Sequence, residues 1–529
     1  MIATLLLALS PALAATQAPD YRQTLDLAVH WLRWEGRNPD GSYGKGVEDT
    51  ALALLAFARS PRRYTVQDGP WIREAAQWLL SKNAGDVRVR EALAAVGVEV
   101  DPTAVPARVE EISPEAAGRE ADALARRFSP EGHVSESVRE TALAAIRLST
   151  LLDRLPRTTP AGGPPPETET ASSVPAASLD EALQRAGHFL RSQEIEPGRW
   201  GFAGRPDAGI TALAAAALAA LPGDPGKAHR ASLDRALEWL ASIQDQSGAI
   251  TEGGLAAYVT SVAILAFHSS GDPRYRPTIE KARRFLTAVQ CDEGEGYTTD
   301  DNFYGGIGYG NDERPDLSNL NLAIDALRAA DLPKDDPAVA RMLRFLDRCQ
   351  NRSESNPTVV SAEGHRVLAG NDGGGIYYPG NSPAGYVDLP DGTRVARSYG
   401  SMTYSLLKGY VFAGLPTEDP RVQAALGWIR KNWTLEENPG FDRTKDPRAG
   451  HQGYYYYLYT LARTLHSLGE PTVEDAAGKP HDWRAELAAR LLALQRADGS
   501  WVNEVDRWWE GHPVIPTSYA TLALTLGRS

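Results

Sequence analysis

Histidine and tyrosine crowd three helix starts in the C-terminal third of the chain. Tyr399, Met402 and Tyr404 open one. His451, Tyr454, Tyr455, Tyr456, Tyr457 and Tyr459 open the next, and Thr517, Ser518 and Tyr519 open the last. An imidazole beside phenols is equipment for proton transfer: His451 as base with Tyr454 or Tyr455 as proton donor suits a lyase. The same rings suit binding, because aromatic walls accept an apolar ligand or the face of a sugar. Along a helix Tyr455 and Tyr459 share a face, as do Tyr454 and Tyr457. Tyrosines on several faces do not all enter a core, so some hydroxyls are expected at water or a ligand. The candidate ligand cavity is therefore Tyr399, Tyr404, His451, Tyr454, Tyr455, Tyr457 and Tyr519. The competing reading is that bulky rings fill the wide centre of a ring of helices.

Acidic residues gather between Asp292 and Asp316: Asp292, Glu293, Glu295, Asp300, Asp301, Asp312, Glu313 and Asp316. Such oxygens can hold calcium, but the spacing matches no calcium-loop motif, which favours a solvated acidic loop. Asp316-Leu317-Ser318-Asn319 leads into a helix that Ser318 or Asn319 is expected to cap. The glycine clusters Tyr304–Gly310 and Asp372–Tyr378 follow no strand, which excludes phosphate-loop and dinucleotide readings. No cofactor and no metal site are expected. Cys291 and Cys349 are the only cysteines. They fall at one phase of neighbouring units, so a disulfide and two buried thiols both stay open.

These residues are positioned by a recurring two-helix unit. Its first helix is amphipathic and carries Phe189-Leu190, Trp239-Leu240, Phe285-Leu286, Phe345-Leu346, Trp428-Ile429 or Leu491-Leu492. A Gln/Gly/Asp-rich turn follows. The second helix opens on Thr or Ser, whose hydroxyls are expected to cap its free N–H groups, and runs apolar on every face, as in Thr211-Ala212-Leu213 and Thr260-Ser261-Val262. A helix apolar all round is enclosed, and one charged along a face lies outside. No unit can bury its own stripe, so the units must stack. The fold class predicted is all-α: an (α/α)6 toroid of helical hairpins over residues 179–529. Residues 20–155 read as an N-terminal helical extension of degenerate repeats. A Pro-rich linker is expected at 156–178.

Gln495-Arg496-Ala497-Asp498-Gly499-Ser500-Trp501 resembles the Q-x-x-x-G-x-W turn of the squalene/terpenoid cyclase and protein prenyltransferase repeat superfamily. Ser192-Gln193 to Trp200 is a looser copy. The resemblance implies a central cavity ringed by inner-helix N-termini. It implies activity only where the superfamily's working motifs persist. Class II cyclases protonate an alkene with the middle Asp of D-x-D-D-T-A, a strong acid held dry among carboxylates. Here Asp207-Ala208-Gly209-Ile210-Thr211-Ala212 keeps the first Asp but has Gly209 at the acid position. Gly46-Val47-Glu48-Asp49-Thr50-Ala51 places Glu48 there and Asp49 after it. Glu48, Asp49, Asp207 and His451 are thus the catalytic candidates. The alternative for Glu48 and Asp49 is simple complementation of a helix N-terminus. Prenyltransferase zinc needs Asp-x-Cys-Tyr and His-x-x-Tyr. His451-Gln452-Gly453-Tyr454 fits the second half, and the first half is absent.

With 529 residues and a net charge of −13, the chain offers no basic surface for nucleic acid. Leu5–Leu9 with Ala12-Leu13-Ala14 reads as a signal peptide over residues 1–14. A periplasmic or extracellular location follows, with no transmembrane segment. Three functions are open. The first is an exported cyclase-like and prenyltransferase-like repeat protein that binds an apolar or carbohydrate small ligand, as a binding or scaffold protein. The second is a class II-type isoprenoid cyclase or isomerase using Glu48. The third is a carbohydrate-active lyase or hydrolase on an α/α toroid.

Overall fold

Helices that are apolar on every face must be surrounded, and the arrangement of this chain follows from that demand. The computed structural model describes residues 21–60, 62–83, 86–98, 114–129, 132–135, 137–152, 176–202, 204–222, 225–252, 254–310, 314–362, 365–444 and 446–528. The expected signal peptide lies outside them, as does the expected linker except its last three residues, which open a helix. The chain forms two compact units, residues 1–66 with 71–158, and residues 67–70 with 159–529.

The first unit holds α1 (Tyr21–Trp34), α2 (Val47–Arg59), α3 (Pro70–Asn83), α4 (Val87–Ala95), α5 (Pro114–Ala125) and α6 (Val138–Leu152). The apolar α2 packs on α4 and α6, and α6 also meets α1 and α5. Leu52, Leu54, Leu55 and Phe57 of α2 are buried there with Leu148 and Leu151 of α6.

The second unit holds α7 (Ala176–Ser192), α8 (Ala208–Ala220), α9 (Pro225–Ser242), α10 (Ala256–Ser270), α11 (Arg276–Ala288), α12 (Leu317–Ala329), α13 (Pro337–Arg348), α14 (Gly400–Phe412), α15 (Pro420–Lys431), α16 (Tyr454–Leu468), α17 (Trp483–Leu494) and α18 (Val514–Gly527). The even-numbered helices form a closed ring: α8 packs on α10, α10 on α12, α12 on α14, α14 on α16, α16 on α18 and α18 on α8. The odd-numbered helices lie outside this ring. Burial follows the polarity pattern, since Ala208 to Leu218 of α8 are all buried whereas α11 buries only Ala282, Phe285 and Leu286. The unit is an (α/α)6 toroid.

A repeated clasp joins neighbouring hairpins. Gln244 Nε2 donates to the carbonyls of Gly248 and Thr278, and Gln290 Nε2 to those of Gly305 and Ala338. Gln350 Nε2 reaches Gly373 and Arg421, and Gln495 Nε2 reaches Gly499 and Ala182. Each glutamine thus ties its own turn to the next outer helix, and Gln495 ties the last turn back to α7. Glycine is required in the turn. Gly499 has φ +89, and a Cβ there would meet the Arg185 carbonyl oxygen at 2.5 Å.

Two sequence expectations are corrected here. The threonines that open inner helices do not cap them. Their hydroxyls accept from the preceding turn instead: Thr211 from Trp200 N, Thr260 from Ile250 N, Thr403 from Gly375 N and Thr517 from Trp501 N, at 2.8 to 3.0 Å. Secondly, the glycine cluster Asp372–Tyr378 does follow a strand, because the insertion after Gln350 holds a sheet. Val359–Ala362, His365–Leu368, Arg394–Ala396 and Tyr386–Asp388 form a four-stranded sheet in that order, its central pair parallel and the outer pairs antiparallel. Cys291 and Cys349 are buried and not joined in a disulfide, and burial pushes the Cys349 thiol well up.

Candidate functional site

The inner helices begin at one end of the toroid, and side chains from their first turns meet there. Asp207 caps α8 by accepting from Ile210 N at 2.8 Å. Asp316 caps α12 by accepting from Asn319 N at 2.8 Å, so the cap is Asp316 and not Ser318 or Asn319. Carboxylates suit these positions because unpaired N–H groups leave each helix start partly positive. The start of α16 has Gly453 at its cap, in the left-handed region at φ 61 and without a side-chain bond. Its N–H groups are served from another element. Glu510 accepts from Tyr456 N at 2.8 Å and Tyr455 N at 3.2 Å, and Asn503 Nδ2 donates to it at 2.7 Å. Glu510 is fully buried, and loss of water pushes its carboxyl up to about 7 against those donors.

This end is the mouth of the ring of inner helices, and Tyr258, Tyr309, Ser318 and Tyr456 stand there half-buried. The Tyr456 hydroxyl lies 3.1 Å from Ser318 Oγ and accepts from Asn321 Nδ2 at 3.0 Å. The Tyr258 ring faces Tyr309 with centroids 6.4 Å apart, and the Tyr519 ring packs on Tyr456 and stacks on Tyr459 with centroids 5.6 and 5.4 Å apart. Asn321 is buried, yet its Oδ1 has no protein partner. A buried amide oxygen left open is costly and invites a donor from water or a ligand.

Below the mouth α12 sends a polar stripe inward. Ser318, Asn321 and Asp325 recur at helical spacing. Asp325 accepts from Lys408 Nζ of α14 at 2.6 Å and pairs with Arg463 of α16 at 3.1 Å. Asp325 and Lys408 are fully buried. Burial lowers Lys408 to about 8, while Arg463 and Lys408 draw Asp325 below its ordinary range against its own burial.

The catalytic candidates do not assemble. Glu48 and Asp49 belong to the first unit. Glu48 is exposed and pairs with Arg88 and Arg139, and buried Asp49 pairs with Arg139 at 2.9 Å. Glu48 therefore faces water and two guanidinium groups rather than a dry chamber. Asp207 is engaged in capping, and Gly209 beside it offers no proton. His451 is half-buried, and burial with nearby Arg490 and Arg443 lowers its pKa. Its ring meets Tyr454 edge-on at 5.8 Å. The Tyr454 hydroxyl, however, donates to the Leu435 carbonyl and accepts from Arg490 Nε. Tyr457 likewise donates to the Thr434 carbonyl. These two rings turn outward to the loop after α15.

Tyr399, Tyr404, Tyr455 and Tyr519 are buried among other rings and side chains, with Tyr404 against Tyr457 at 5.9 Å. Burial drives the pKa of each of these phenols up. They fill the centre more than they line a space. The half-buried rings at this end are Tyr258, Tyr309 and Tyr456; sequence spacing does not single out Tyr258, and it names Tyr456 at a helix start without placing it in the candidate cavity. Among the described residues no three His, Cys, Asp or Glu side chains cluster as a metal set, and no helix is long and apolar enough to cross a membrane.

No protein-family model and no curated protein matches this chain. Solved structures do. The type II terpene cyclase MstE from Scytonema is 18% identical, covers 66% of this chain and 98% of its own, and has a TM-score of 0.39. A glycosidase variant in complex with glucose is 15% identical over 66% of this chain and 97% of that one, with a TM-score of 0.38. The ent-copalyl diphosphate synthase from Streptomyces platensis is 13% identical over 62% and 87%, with a TM-score of 0.22.

Proposed function

We propose that this protein is a ligand-binding toroid of terpene cyclase-like build, which takes a small ligand at the mouth where the inner helices begin. The observation that carries the reading is the group formed by Tyr456, Ser318 and Asn321. A half-buried phenol is held by two polar partners beside a buried amide oxygen with an open acceptor site. Polar groups converging among aromatic faces at the end of a helical barrel are the usual make-up of a small-molecule site. Proton-initiated cyclisation through Glu48 finds no support in its exposed, doubly paired setting. A His451–Tyr454 lyase finds little, because that hydroxyl is already committed. The chain is further proposed to be exported and cleaved after Ala14, which N-terminal sequencing of secreted material starting at Ala15 would verify.

Two assays test the reading. Wild type and Glu48→Gln are offered squalene and geranylgeranyl diphosphate, and neither is expected to yield a cyclic product. Turnover by wild type that vanishes in Glu48→Gln would reinstate the cyclase. In a thermal-shift screen of small ligands, the expected result is a hit weakened by Tyr456→Phe and by Asn321→Ala.

A further inference from the structure

Trp508 and Trp509 are 41% and 54% exposed, unlike Trp200, Trp483 and Trp501, which are fully buried. Both have left-handed backbone, with φ 60 and 66. Bulky residues rarely adopt this conformation, and it persists only where the surroundings impose it. Here they do. The loop is fastened at Glu510 to the start of α16, and by Asn503 Nδ2 to the His451 carbonyl at 2.7 Å. Arg507 donates to Gln452 Oε1, and Asp506 accepts from Gly511 N at 2.8 Å. The two indoles are therefore held out in fixed positions.

Their place is the rim of the mouth. Trp509 packs on Phe202, in the turn that leads into α8, with centroids 4.8 Å apart. Phe202 in turn meets His512 at 4.6 Å. Trp508 rests against Gly453 at the start of α16, and Arg507 stacks over it at 4.6 Å. The Arg507 charge also reaches Tyr399, the residue before α14.

We propose that Trp508 and Trp509 form a stacking subsite for a sugar ring, and that the ligand of the mouth is a neutral oligosaccharide. This rests on the reading of the mouth as a ligand site. The π face of an indole is negative and complements the polarised C–H face of a pyranose. Groups able to bond hydroxyls surround the platform: Arg507, Gln452 and Asp506. A polyhydroxylated ligand supplies both donors and acceptors to these groups, of which Arg507 and Asp506 are exposed. An isoprenoid chain would desolvate them without pairing them, which opposes binding.

The test is calorimetric titration of the full chain with maltohexaose, cellohexaose, xylohexaose and chitohexaose, and with geranylgeraniol in detergent. The expected result is binding of at least one hexasaccharide. The Trp508→Ala/Trp509→Ala double variant should bind it about tenfold or more weakly at unchanged melting temperature, and Trp509→Tyr should recover part of the loss. Binding of none of the sugars overturns the proposal, as does equal binding by the double variant. Geranylgeraniol binding that is lost in Tyr456→Phe would overturn the sugar assignment while leaving the mouth intact. Sugar binding indifferent to Trp508, Trp509, Tyr456 and Asn321 alike would sink both readings.

Discussion

Glu510 shows how one side chain can be central to a site and invisible to motif reading. It stands between two tryptophans and a glycine, far in sequence from the helix it serves. Its folded pKa of about 7 lies above its ordinary 4.5. Between those values the folded chain keeps a proton that the unfolded chain has lost. This group's contribution to stability is therefore full below about pH 4.5, falls as pH rises to 7, and is flat above. The span amounts to about 3 kcal/mol at most. In thermal melts across pH 4 to 8, wild type minus Glu510→Gln is expected to slope downward with pH. A pH-independent difference would mean that the carboxyl ionises normally in the fold. At the same scale, Glu48, Asp49 and Asp207 were legible as acids at helix starts. That Glu48 and Asp49 pair, rather than face a dry cavity, depended on Arg88 and Arg139, which arrive from other helices, whereas Asp207 caps its own helix.

At the scale of elements, the outer-and-inner division of helices could be read from polarity, because burial tracks how many faces are charged. What polarity concealed was the charge inside the ring. Lys408 interrupts an otherwise uncharged α14, and only packing shows that it answers Asp325 of α12 beside Arg463 of α16. Removing the shared anion leaves two cations facing each other in the interior. Asp325→Ala is expected to cost about 3 to 5 kcal/mol in chemical denaturation. Lys408→Met should cost clearly less, because Arg463 still pairs with Asp325 and the methionine fills the space. Equal losses would indicate that the volume of the site matters more than its charge. The tyrosines of α16 teach a related lesson. Their spacing correctly placed them on several faces, but Tyr454 and Tyr457 satisfy their hydroxyls on the loop at Thr434 and Leu435 rather than at a cavity.

At the scale of the whole molecule, the closed ring depends on a last hairpin that meets the first. Gln495 makes the closing clasp onto the Ala182 carbonyl, and α18 packs on both α7 and α8. Gln495→Ala removes two hydrogen bonds, to the Ala182 and Gly499 carbonyls. An expected loss of about 1 to 3 kcal/mol follows, measurable by urea denaturation. Gln244→Ala breaks the same bonds at an internal joint and should cost about as much. If only Gln495 mattered, closure would carry a cooperative term beyond its hydrogen bonds.

The amino-acid pattern alone determined the hairpin repeat, the helical class and the enclosure of alternate helices, because periodicity and polarity are local and each unit carries them in full. Tertiary structure alone decided which aromatic rings fill the centre and which reach its mouth. It also decided that Glu510 serves α16, that Asp325 has two cationic partners, and that Trp508 and Trp509 stand at a rim. Those outcomes depend on which side chains from distant turns share a few ångströms of space, and short-range spacing along a chain carries no record of that.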